Sequence, residues 1–129
     1  MEKVIKNMNI KPLLDRAEFE RLDAPKEGTM VNIRVGDEVM VKLLNDNVAR
    51  VSVARSVVPE PECLFKIYVE MSADVAIDKK YYDELANPSD YFKNTPICRA
   101  LVLQIVTLIA NMTTNSAIGP MVTVPTVQA

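Results

Sequence analysis

Histidine is absent from this chain. Without it the protein has no side chain whose ordinary pKa suits proton transfer near neutral pH, and it loses the commonest ligand for zinc, copper and non-haem iron. Tryptophan is absent too, and aromatic residues make up only 5% of the sequence, so platforms for stacking single-stranded bases are poorly supplied. No basic field compensates. Fifteen Lys and Arg against 17 Asp and Glu give a net charge of -2, with the cations scattered among acids, which argues against nucleic acid as a partner. The two cysteines, Cys63 and Cys98, are too few and too far apart for a disulfide framework or a zinc site, and read as small hydrophobes. The three glycines, Gly28, Gly36 and Gly119, stand alone, so no glycine-rich loop between a strand and a helix supplies a phosphate site.

Carboxylate chemistry survives these exclusions. Asp78, Asp83, Glu84 and Asp90 lie in "DKKYYDELANPSDYF", mixed with lysines and turn formers, which reads as a solvated helix and loop rather than as an acid/base pair. No catalytic residue, cofactor or metal is therefore expected, and the protein is read as no enzyme. The opening "MEKVIKNMNIKPLL" has no continuous apolar run and no small-residue cleavage site, so it is not a signal peptide, and a cytoplasmic location is expected.

What the sequence does hold is a sharp change of period. Its 129 residues, 49% of them hydrophobic, suit one domain over residues 1–129. In "TMVNIRVGDEVMVKLLN" the apolar residues Val31, Ile33, Val35, Val39, Val41 and Leu43 alternate with Asn32, Arg34, Glu38 and Lys42, which predicts a half-buried strand that Gly36 and Asp37 bend or break. After the turn at Asn45 to Asn47, "VARVSVARSVV" repeats the alternation through Val51, Val53 and Val57 and stops at Pro59 and Pro61. "CLFKIYVEMSADVAI" gives the clearest strand, with Phe65, Ile67, Val69, Met71, Ala73, Val75 and Ile77 on one face. "RAEFERL" is ambiguous between a short helix and a charged edge strand. Short turns between strands imply an antiparallel sheet, a meander or Greek key of about four strands.

From Asp78 the pattern becomes helical. Ser89 or Asp90 is expected to cap a brief turn, and Thr95 before Pro96 signals the start of a long helix running to Thr113 or Thr114, stopped before Gly119. In that helix Ile97, Leu101, Ile105, Leu108 and Met112 form one apolar stripe, and Val102, Val106 and Ile109 form a second beside Cys98. The run is too short to span a membrane and contains Arg99 and Gln104, so no membrane insertion is expected. One sheet covers one stripe. The second is predicted to meet the same helix of another copy, through Val102, Ile105, Val106 and Ile109, in a dimer or tetramer. Burying about five more aliphatic side chains contributes on the order of 8–15 kcal/mol before association entropy is subtracted. Cover from a loop or the N-terminal segment of the same chain is the alternative.

This α+β order, a four-stranded antiparallel sheet followed by one long C-terminal helix packed on it, resembles the SecB-like chaperones. "AEFERLDAP" resembles that family's first strand, "TPICRALVLQIVTLIAN" its proline-opened helix with an arginine at Arg99, and "IGPMVTVPTV" its proline-bracketed segment around Pro120 and Pro125. The resemblance implies ATP-independent binding of non-native polypeptide clients, with an export motor or an antitoxin as the possible dedicated partner. It also implies a short form, since the sequence carries no second amphipathic helix after the proline segment. Seven Met residues are plausible adaptable material for such a surface. The residues expected to meet a client are Met40, Val58, Leu64, Tyr68 and Met121. The alternative is a small oligomeric structural or assembly protein.

Overall fold

The computed structural model describes residues 4–129. The domain assignment and the opening segment both include residues 1–3, which lie outside the described residues. Four strands, β1 (Leu13–Arg21), β2 (Asn32–Asn45), β3 (Val48–Glu60) and β4 (Phe65–Ala76), precede helices α1 (Lys79–Tyr82), α2 (Pro88–Lys93) and α3 (Pro96–Met112). The strands form one sheet in the order β1-β4-β3-β2, antiparallel throughout. Strands β2, β3 and β4 make a meander, while β1 crosses over to lie beside β4, which is Greek-key connectivity. The segment read as helix or edge strand is an edge strand.

Period-two alternation puts the odd residues of β2, β3 and β4 on one face, and α3 packs there. On β4 that face carries Phe65, Ile67, Val69, Met71, Ala73 and Val75, all buried, with Val51, Val53 and Val57 beside them on β3. The other face is polar: Arg50 on β3 pairs across strands with Asp74 on β4 at 2.8 Å.

Several local expectations change. Gly36 and Asp37 do not interrupt β2, which runs unbroken from Asn32 to Asn45. Strand β3 continues through Pro59, because its pairing with β4 ends at Val57 and beyond it only β2 demands hydrogen bonds. Helix α2 is capped by Asn87, whose side chain accepts from the Asp90 amide at 3.3 Å, rather than by Ser89 or Asp90. Asp78 caps α1 and Asp83 pairs with Lys79 at 2.7 Å, so two of the four carboxylates in this stretch hold local helix structure.

Helix α3 begins after Thr95 with Pro96 in its first turn, as the sequence signals, although the Thr95 hydroxyl donates back to Phe92 O at 2.6 Å instead of capping. Its apolar face divides differently from the two-stripe reading. Ile97, Cys98, Leu101, Val102, Ile105 and Ile109 are all buried against the chain's own core. Val102, Ile105 and Ile109 are therefore sealed inside the fold, not presented to a second copy, and Val106 is half-buried. Strands β3 and β4 carry the helix and α2 packs beside it, so its buried face is wider than one stripe. The N-terminal segment helps: Val4 joins the core, and Ile5 bridges Ile77.

Candidate functional site

Three surfaces hold the groups that composition leaves available for binding. The first is the polar face of the sheet. Tyr68 and Val58 line one open hollow there of about 290 Å³, with Glu18, Glu20 and Lys66 around it. Arg16 lies over the Tyr68 ring at 5.3 Å, and the Tyr68 hydroxyl donates to Glu70 Oε1 at 2.9 Å. That hydrogen bond, then burial, pushes the Tyr68 phenol above its ordinary value. Met40 is exposed on the same face, further along, where β2 pairs with β3 at Ser52.

Leu64 and Met121 lie elsewhere. Leu64 joins β4 to the segment before it and adopts φ 65°, a left-handed conformation unfavourable for a side chain of this size. Two backbone bonds to the crossover hold it there: its amide donates to Asp23 O at 2.8 Å and its carbonyl accepts from Leu22 N at 2.9 Å. Met121 is half-buried against the core after α3. The five residues named for client contact thus form one pair, Val58 with Tyr68, and three separate positions.

The second surface is the inner face of β1, which the sequence reading passed over. Leu14 (52% exposed), Ala17 and Phe19 (40% exposed) line up with Met71, Val69 and Ile67 of β4, yet no helix among the described residues covers them. Phe19 touches the Phe65 ring, centroids 5.9 Å apart. With Leu22, Leu64 and residues 115–117 it borders an open hollow of about 310 Å³. Beyond this rim, Ile118 is also exposed. The signal was present but masked: a register shift between Leu14 and Arg16 moves the apolar alternation from even to odd numbers, so the strand reads as merely charged.

The third surface centres on an ion pair. Asp37 of β2 and Arg55 of β3 stand opposite each other on the apolar face, and both side chains are fully buried while the Asp37 backbone stays half-exposed at the sheet edge. The pair is bidentate, Nε to Oδ1 and Nη2 to Oδ2, each 2.8 Å. Arg55 spends its remaining donors on the segment after α3: Nη1 on Thr123 Oγ1 at 2.8 Å and Val124 O at 2.6 Å, Nη2 on Thr126 O at 3.0 Å. All five guanidinium N–H groups are satisfied. Asp37 completes the arrangement by accepting from Gln128 N at 2.7 Å, while its own amide donates to Gln128 O at 2.9 Å. A charged residue at an apolar position on each of two neighbouring strands was the available sequence signal.

No family model matches the sequence, and no curated protein matches it. Among solved structures, the chain is similar to a SecB-like chaperone of Mycobacterium tuberculosis, solved in complex with a ChAD peptide from an antitoxin. The TM-score is 0.69 at 16% identity, over 90% of this chain and 88% of that one. A protein of unknown function from Streptococcus agalactiae is similar over 92% of this chain and 98% of its own, with TM-score 0.45 and 14% identity. No helix among the described residues is long and apolar enough to cross a membrane. The structural likeness extends over nine-tenths of the chain, and this protein has the SecB-like fold.

Proposed function

We propose that this protein binds non-native polypeptides without ATP and without catalysis, as a SecB-like holdase. The observation that carries the reading is the uncovered inner face of β1. Leu14 and Phe19 continue the core's apolar surface into solvent beside an unpaired strand edge, an arrangement suited to extended, apolar chain segments. The SecB-like fold supports it. The antitoxin peptide on the mycobacterial neighbour makes an antitoxin-type segment the first client to try, ahead of an export client and its motor.

Association into a homo-oligomer, a dimer or tetramer, belongs to the same proposal, through a surface other than the one the helix stripes suggested. With Val102, Ile105 and Ile109 sealed, the large apolar residues left on the outside of α3 are exposed Leu103 and half-buried Val106, Leu108 and Met112, and the open β1 edge adds Leu13 and Leu14. The test of function is aggregation of diluted, unfolded proteins with a several-fold molar excess of this chain. Suppression that needs no nucleotide supports the holdase. Unchanged aggregation, together with no retention of an antitoxin-like or export client in pull-down, favours the alternative of a structural assembly protein.

A further inference from the structure

We infer that the groove over Asp37 and Arg55 is a binding site for extended polypeptide which the chain's own segment 120–129 occupies in cis, so that this segment acts as a displaceable autoinhibitory strap. The inference rests on the polypeptide-binding reading above, and it names a site distinct from the β1 face. Gly119, at φ 77°, ends the turns that follow α3 and leads the chain into the strap. The strap is then anchored at its start, where Met121 N donates to the buried Thr113 Oγ1 at 2.8 Å, and near its end, where Gln128 and Asp37 exchange two hydrogen bonds.

Between these anchors the recognition is of backbone. Arg55 grips two main-chain carbonyls, Val124 O and Thr126 O, and only one side chain, that of Thr123. The Gln128 pairing with Asp37 likewise uses the peptide N–H and C=O. The strap's apolar side chains are poorly seated: Val122 is 78% exposed, Val124 is exposed, and Met121 and Val127 are only half-buried. An open hollow of about 200 Å³ remains between Pro125–Val127 and the α2–α3 junction at Asn94, Thr95 and Arg99. A segment held by bonds that any extended chain can offer, and filling its groove incompletely, is replaceable by another extended chain. Its advantage is tethering, which gives a short linked segment an effective concentration of roughly millimolar.

The probe is a fluorescein-labelled peptide of residues 119–129, titrated by anisotropy against full-length protein. The strap is loosened in the full chain by Val127→Asp with Gln128→Pro, which removes an apolar contact and the N–H given to Asp37. The loosened protein is expected to bind the peptide at least tenfold more tightly than the wild type does. Adding Asp37→Leu with Arg55→Met, which removes the clamp without leaving an unpaired buried charge, should abolish that gain. Equal binding by the wild type and a folded loosened variant overturns the inference. Loss of the sheet's circular dichroism on loosening overturns it as well, because a strap that can leave must leave a folded chain behind. The aggregation assay run alongside separates the two proposals: suppression by the wild type with no peptide gain sinks only the strap, and a peptide gain with no suppression sinks only the holdase.

Discussion

The two edges of the sheet are finished in opposite ways. At the β2 edge the Asp37 amide is taken by Gln128, a buried ion pair lies beneath, and the strap covers the join. At the β1 edge all nine residues are exposed, and the charged pair Arg16–Glu18 sits in solvent. Unpaired edges invite association, and here the strap caps the β2 edge at Asp37, whereas nothing among the described residues pairs with the outer edge of β1. The difference is also one of stability. Groups at the Asp37–Arg55 join hold the fold together, and the exposed groups of the β1 edge contribute little to it.

The sharpest test of that division replaces a charge at each edge. Arg55→Ala is expected to destabilise the fold by ~3–5 kcal/mol, because Asp37 is left buried without its partner. Arg16→Ala, at the open edge, should leave the urea midpoint unchanged within error, since its pair with Glu18 is solvated. Comparable losses from both substitutions break the comparison.

An apolar pair extends it. Ile105→Ala in α3 is expected to cost ~2–5 kcal/mol by denaturant unfolding, the range for emptying a packed core position. Leu14→Ala should stay within ~0.5 kcal/mol. If Leu14 carries the larger loss, the β1 face is part of the core in solution, and light scattering of both variants then shows whether another copy covers it.

Chemical access gives a kinetic version. Burial pushes the Cys98 thiol up to about 11, so at pH 8 its alkylation by iodoacetamide should run roughly a hundredfold slower than that of an unperturbed thiol. Denaturant at the unfolding midpoint should restore the rate. Rapid alkylation in native buffer means that the helix–sheet layer opens readily, and the sealed side is then less sealed than its geometry indicates.

The smallest effect is expected on the polar face. The hydrogen bond from Arg50 holds the Asp74 carboxyl below the ordinary aspartate value. A folded-state pKa below the unfolded one adds stability above the unfolded value, and that stability is lost as pH falls through the folded value. Asp74→Asn should therefore lower stability slightly at neutral pH and leave it unchanged at low pH, which flattens the acid limb of a stability–pH curve. A neutral-pH loss as large as that of Arg55→Ala contradicts the assignment of this exposed pair to the surface.

Local patterns were enough to read β2, β3, β4 and α3, because period-two alternation and a Thr-Pro start signal depend only on neighbours in sequence. They were not enough for β1, where the register shift after Leu14 breaks the alternation, nor for the partners of Arg55, which are set only once β2, β3 and segment 120–129 lie side by side. Of the residues expected at a client surface, Val58 and Tyr68 share a hollow, while Met40, Leu64 and Met121 are dispersed. Exposure on one's own strand says nothing about which strand lies alongside.

By itself the sequence determined the α+β class, the antiparallel sheet, the position of the long helix, and the exclusion of histidine-based chemistry. These follow from composition, hydrophobic period and turn residues, all of which act over a few bonds. Only the tertiary structure decided how much of α3 the sheet and α2 enclose, and hence that Val102, Ile105 and Ile109 belong to the core. It alone also decided that Asp37 and Arg55 close on segment 120–129. Arg55 and Thr126 are 71 residues apart in sequence, and the bond between them exists only because strand order and register bring one guanidinium to a segment far along the chain.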